Sequence, residues 1–399
     1  MALRSPLRKR ASARLAVLGV AAAALIAAQP AAGAGAEGAV APGAYIPDAA
    51  QRPALIDRYA RLVGRPPVIV SYYHQWDSIP FVPDELQAAW DRGAVPMITW
   101  EPMSYEGKSY PMRLIQRGRF DQYIRESARA AARWGRPILL RFAHEMNGTW
   151  YPWARGVNGN NSYRLKAVWR RVVGIFRTQG ATNVQWVWTP NVNTGGDFPF
   201  RDLYPGDNWV DWVGFDGFNW AQRGAWNSFT EIVDNTYEEL AKISSRPMIV
   251  AETGSNESGG DKAAWVASAL RREIPKFGRI RAIVFFDDVV NESGEGGALD
   301  ARVDSSPASL RAFRSAIASP VYSLTRRQLL ATPSTLTHDA IAPARPSGGF
   351  GQPSLFYRIT AKLHGRYLWY AIGLAAVALL VLLGCIALAR SRFRARSAR

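Results

Sequence analysis

In residues 137–153, PILLRFAHEMNGTWYPW, an apolar run gives way at once to groups that could do chemistry. Arg141, His144, Glu145 and Asn147 arrive within a few residues, followed by Trp150, Tyr151 and Trp153. Hydrophobic burial alone would not select that mixture, so this strand end suits the rim of a site. A second carboxylate, Glu252, closes another apolar run, Met248-Ile249-Val250-Ala251. Two carboxylates facing each other across a cleft supply what cleavage of a glycosidic bond needs: one proton donor and one nucleophile or base. The apolar lead-in to Glu252 and the aromatics beside Glu145 offer a means of separating their pKa values. His144-Glu145 also begins like a zinc-binding helix, but Gly148 stands where the second His would fall. With four His and the single Cys385 scattered along the chain, no metal or other cofactor is expected. These residues alone leave open whether the two Glu are catalytic or are structural ion-pair partners of Arg141.

The elements that would position them follow a strand-then-helix rhythm. Candidate strands lie at 43–47, 67–73, 94–100, 137–143, 183–189, 210–216, 247–252 and 280–286. Helical patterns fall at 51–63, 83–92, 119–134, 162–179, 228–244, 262–276 and 307–318. Eight strands alternating with seven helical segments over this length match a (β/α)8 TIM barrel of class α/β, whose sites lie at the C-terminal ends of the strands. The first strand lacks the glycine-rich turn of a nucleotide-binding open sheet. Besides the residues above, the strand ends carry Tyr73, Trp76, Trp100, Glu101, Trp188, Asp216, Asn219, Trp220 and Phe285. Aromatic faces stack on pyranose rings and amides bond their hydroxyls, so this lining suits a neutral polysaccharide. The expected substrate-binding set is Arg141, His144, Asn147, Trp150, Trp153, Tyr73, Trp76, Trp100, Trp188, Asn219, Trp220 and Phe285. Glu101 and Asp216 are expected to support the site through hydrogen bonds.

The net charge of +17 first suggests nucleic acid, but its distribution argues otherwise. Residues 1–14 carry five Arg/Lys and no acid, residues 390–399 carry five Arg, and residues 321–366 carry six Arg/Lys against Asp339. The remainder is close to neutral, so no nucleic-acid partner is expected. Residues 1–36 read as a signal peptide, with a basic start, an apolar run at 15–28 and small-residue cleavage sites. Residues 37–320 would form the barrel, and residues 321–366, rich in Pro, Ser and Gly, a linker. Residues 367–389 contain no charge and are long enough for one transmembrane helix, with the basic tail 390–399 on the cytoplasmic side. The expectation is a monomer held in the cell membrane with its barrel outside the cytoplasm.

Arg141-Phe142-Ala143-His144-Glu145-Met146-Asn147-Gly148 resembles the acid/base signature of glycoside hydrolase family 26, in clan A of retaining glycosidases. Ala251-Glu252-Thr253-Gly254 resembles its nucleophile strand, and Trp100-Glu101-Pro102 and Val210-Asp211-Trp212-Val213-Gly214 are similar to further landmarks. The resemblance spans about residues 43–320, with four landmarks on the right strands in the right order. It implies Glu145 as general acid/base and Glu252 as nucleophile, with His144 and Asn147 orienting substrate or carboxylates. It further implies endo-cleavage of β-1,4-mannan, with β-1,3-1,4-glucan and β-1,3-xylan as less common substrates. Two departures stand out. Phe218 replaces a Tyr whose hydroxyl would contact the nucleophile, and Phe285 replaces a Trp beneath the cleaved sugar. They motivate an alternative: a membrane-tethered glycan-binding or polysaccharide-export accessory protein with weakened or absent catalysis.

Overall fold

The computed structural model describes residues 38–192, 199–221, 224–290 and 298–335. The expected signal peptide, transmembrane segment and basic tail lie outside them. Among the described residues no helix is long and apolar enough to cross a membrane.

Eight parallel strands close into a barrel in chain order: β1 Ala41–Tyr45, β2 Ile69–Gln75, β3 Val95–Glu101, β4 Ile138–Phe142, β5 Val184–Trp188, β6 Trp212–Asn219, β7 Met248–Ser255 and β8 Ile280–Phe286. Closure is made by β1 on β8, with Gly43 opposite Val284. The outer layer holds α1 Ala54–Val63, α2 Pro83–Asp91, α3 Met112–Gln116, α4 Asp121–Trp134, α5 Ser162–Thr178, α6 Phe229–Ile243, α7 Lys262–Ser268 and α8 Pro307–Ile317. Helix α5 shows why. Leu165, Val168, Trp169, Val172, Val173 and Phe176 recur at helical spacing and are buried, and the Asn161 side chain accepts from the Arg164 N–H at its start. The single helix expected at 262–276 is instead α7, a π turn over Ala269–Glu273 and a 3-10 turn over Ile274–Lys276. Pro275 has no N–H to continue the α pattern.

Alternate residues of each strand point into the barrel or out toward the helices. At the N-terminal end the interior is apolar: Ala41, Ile69, Val95, Met97, Leu139, Val187, Trp212, Ile249, Ala282 and Val284 pack together. Higher up it turns polar, with Thr99, Glu101, Arg141, Thr189 and Asp216 buried in the next layers. One irregularity decides the chemistry. Ile249 and Ala251 belong to the inner apolar cluster, so strict alternation would send Glu252 outward. The register between β6 and β7 shifts instead, pairing Phe215 with Val250 but Asp216 with Glu252. This bulge turns Glu252 into the barrel mouth. The strands approach so closely there that a Cβ on Gly214 would sit 2.0 Å from the Ile249 carbonyl oxygen.

The expected boundary at 320 is corrected. Residues 321–335 do not begin a linker: a turn over Pro320–Tyr322 leads into α9 Arg326–Thr335, which closes the N-terminal end of the barrel. Leu324 and Leu329 join the inner apolar cluster, and Tyr322 is buried with its hydroxyl donating to the Leu270 carbonyl. An open barrel end would leave that cluster wet, so these leucines complete the core.

Candidate active site

Glu252 is held from beneath. Arg141 Nη1 and the Tyr73 hydroxyl both donate to its Oε1. Arg141 is fully buried; its Nη2 donates to Asp216, its Nε to Thr189 Oγ1 at 2.7 Å, and its Nη1 also reaches Thr99 Oγ1 at 3.3 Å. Burial alone would lower the Arg141 pKa, but the charges of Asp216 and Glu252 carry it well above its ordinary value. It is a fixed cation under the site rather than the substrate-binding residue expected. Burial and the Glu252 charge push the Tyr73 hydroxyl well above its usual range, so it stays a donor. Tyr73 thus makes the contact to Glu252 that Phe218 cannot, and it comes from β2 instead of β6.

Glu145 is held from the side. Chain reversal just past β4 puts Ala143 and Glu145 in the left-handed region, with φ of 45° and 49°. Non-glycine residues seldom adopt it, and such strain concentrates at functional sites. Asn191 Nδ2 donates to Glu145 Oε1 at 2.5 Å and Trp150 Nε1 to Oε2 at 2.7 Å. Burial, and then the charge of Glu252, raise the Glu145 pKa to about 7, against these donors and Arg141. A carboxyl that titrates near neutrality suits a group that must give and take a proton. Burial likewise raises Glu101 to about 7, although Gln75 Nε2 donates to it at 2.5 Å.

The aromatic expectations divide sharply. Trp150 is 55% exposed, and Trp220 is partly buried at the end of β6. Trp76, Trp100, Trp153 and Trp188 are all buried and form no sugar platform. Trp76 and Trp100 face outward among Phe142 and Tyr123, and Trp188 packs on Tyr204. Trp153 stacks on Tyr151 with centroids 4.3 Å apart and donates to the His144 carbonyl at 2.7 Å. Phe285 also points outward, against Phe313 of α8, so the strand-eight aromatic of the mouth is Phe286. Phe286 stacks on Tyr45 and meets Phe218 edge-on.

The expected polar binding residues mostly position other groups. His144 is buried and neutral, its pKa held well below normal by burial and Arg141, with Nε2 3.0 Å from the Tyr151 hydroxyl. The Asn147 side chain is spent on Asn191, accepting from its N–H at 2.8 Å and donating to its carbonyl at 3.0 Å. Asn219 is buried and ties Ser255 to Asn227. Asn191, Tyr45 and Phe286 were not anticipated as site residues; only their places at strand ends signal them. Among the described residues no group of three His, Cys, Asp or Glu converges as metal ligands would.

Residues 106–267 match the model of Glycosyl hydrolase family 26. Over 272 residues the chain is 37% identical to endoglucanase H of Acetivibrio thermocellus, covering 66% of this chain and 29% of that protein. It is 32% identical over 150 residues to a mannan endo-1,4-beta-mannosidase of Bacillus subtilis, covering 36% of this chain and 38% of that one. The chain therefore spans about a third of the length of these curated relatives. Its fold is similar to that of an endo-beta-1,4-mannanase double mutant from Cellulomonas fimi, with a TM-score of 0.54 and 17% identity, over 72% of this chain and 73% of the other. At that identity the likeness concerns the fold.

Proposed function

The chain belongs to glycosyl hydrolase family 26, and from that premise we propose that it is a retaining endo-β-glycanase with Glu145 as acid/base and Glu252 as nucleophile. The observation that carries this is the unequal treatment of two carboxylates in one barrel mouth. Arg141 and Tyr73 both donate to one oxygen of Glu252, whereas burial raises the Glu145 carboxyl to about 7. In the first step Glu145 protonates the leaving glycosidic oxygen while a Glu252 oxygen bonds to the sugar C1. In the second, Glu145 takes a proton from water, whose oxygen displaces Glu252 with configuration retained overall. No cofactor takes part in either step. The 37% identity to an endoglucanase over 272 residues favours a β-linked glucan over the mannan that family resemblance alone ranks first.

Glu252→Ala should abolish reducing-end release from mannan, mixed-linkage β-glucan and β-1,3-xylan while leaving polysaccharide binding in place. Hydrolysis that survived the change would remove the assignment. The accessory-protein alternative rests on Phe218 and Phe285, and Phe285 points away from the mouth, where Phe286 offers the ring. Tyr73 supplies Glu252 with the hydroxyl that Phe218 lacks, so nothing in the site favours that alternative.

We also propose single-pass anchoring with the barrel outside the cytoplasm, supported by the uncharged run 367–389 and the arginines that follow it. Helix α9 lies at the end of the barrel opposite the cleft, which suits a site directed away from a membrane. Recovery of the full chain in the soluble fraction of cells would overturn the anchoring.

A further inference from the structure

The hydrogen bonds of Glu145 conflict with its work as an acid. Both carboxyl oxygens accept an N–H, one from Asn191 and one from Trp150, and that arrangement favours the carboxylate. A general acid must carry its proton on an oxygen aimed at the leaving group, so one donor has to withdraw. Asn191 is the fixed one: Asn147 grips its backbone N–H and carbonyl, and its backbone pairs with Asp216 of β6. Trp150 is held by far less. More than half of it is exposed, and its one neighbouring ring among the described residues is Tyr151, edge-on at 6.5 Å. The indole instead lies against the backbone of Gly148, where any Cβ would come within 2.4 Å of it.

We propose that Trp150 is a substrate-released latch on Glu145: the sugar on the leaving-group side engages the exposed indole, draws its N–H from Oε2, and frees that oxygen to take up a solvent proton for delivery to the glycosidic oxygen. The inference rests on Glu145 being the acid. It makes protonation of that oxygen follow occupancy, so filling the leaving-group side raises the share of Glu145 that carries the proton. Trp150 acts through Glu145 and is a positioning residue.

The other groups facing Glu145 are Glu252 on β7, Asp216 on β6, Glu101 on β3 and Arg141 on β4, together with the neutral Tyr151. None of them is changed by altering Trp150, so a shift in titration reports the latch. Trp150→Phe keeps a ring and removes the N–H; Gly148→Ala keeps the indole and removes its seat. Rates of the full chain are measured across pH on whichever of mannan and mixed-linkage β-glucan it cleaves. The alkaline limb of kcat/KM reports the free protein and that of kcat the complex. In both variants the kcat/KM limb should move up by about one pH unit, because an anion-stabilising donor is gone. The kcat limb should stay in place, since the latch is already open there. Movement of both limbs together, or of neither, overturns the latch. Glu145→Ala assayed on a 2,4-dinitrophenyl β-glycoside separates this from the parent assignment, because that leaving group departs without an acid. Retained attack with azide-accelerated turnover upholds Glu145 as the acid; its absence removes both the assignment and the latch.

Discussion

The two carboxylates of the barrel mouth are mounted in opposite ways. Glu252 rests on strand residues: Arg141 of β4, fully buried, and Tyr73 of β2, with Asp216 of β6 gripping Arg141 from the other side. Glu145 hangs between loop residues, Asn191 and the exposed Trp150. The difference follows from the work each would do. A nucleophile stays an anion until it bonds, so a rigid cationic floor serves it. An acid/base changes protonation twice in each turnover, and a donor that can withdraw, such as the exposed Trp150, serves it better. If this is right, damage to the floor should cost more than damage to the loop mounting.

The largest effect is expected from Arg141→Met. Removing this cation leaves Glu252 and Asp216 buried side by side without the charge that pairs them, and breaking such a pair costs about 3–5 kcal/mol of stability. Turnover should fall by on the order of 10³-fold. Lys should not rescue it, because a single ammonium cannot reproduce the fork that reaches Thr189, Asp216 and Glu252 together. Kinetics and thermal melts of both variants check this. Tyr73→Phe comes next: it removes one donor to Glu252 and should lower kcat by about 10²-fold with little change in melting temperature. Asn191→Ala touches the loop mounting and should cost about tenfold on polysaccharide, and much less on a dinitrophenyl glycoside. An Asn191→Ala loss larger than that of Tyr73→Phe would break the contrast.

How far this mounting could be read from the chain depends on what each feature leaves in the sequence. The strand-helix rhythm and the two apolar runs leading to Glu145 and Glu252 carry the barrel and the candidate carboxylate pair, because both are local patterns. Side-chain direction was less legible. Strand β8, Ile280–Phe286, is buried on both faces, so nothing in its apolar run says that Phe286 rather than Phe285 faces the mouth. The bulge that turns Glu252 inward is a property of the β6–β7 pairing and has no signature in Met248-Ile249-Val250-Ala251. Tryptophan number misled for a related reason. Trp76, Trp100 and Trp188 lie at strand ends but on the outward-facing positions, where a large ring fills the space beneath the helices. Helix α9 was hidden by composition: Thr332, Pro333 and Ser334 read as tether, while Leu324 and Leu329 were the residues that mattered.

The smallest effect on turnover, and the sharpest test of the contrast, concerns Glu101. This carboxyl has the titration of an acid, about 7, but a mounting like that of Glu252, since its partner Gln75 is a strand residue of β2. If a raised pKa alone made a group an acid, Glu101→Gln would remove activity. The mounting argument expects less than about a tenfold loss, the value of one hydrogen bond. The consequence should appear in stability instead. The folded pKa lies above the ordinary value of 4.5, so the unfolded chain releases this proton first as pH rises. The stability that Glu101 contributes is therefore full below about pH 4.5, declines toward pH 7, and stays lost above it. Gln does not titrate and escapes that loss. The variant should gain on the native protein between pH 5 and pH 7.5, by on the order of 2 kcal/mol, and the gain should then level off. Melting temperatures at half-unit intervals measure it. A difference that did not change with pH would mean that Glu101 ionises as freely in the barrel as in water, and that burial does not control the carboxyls of this mouth.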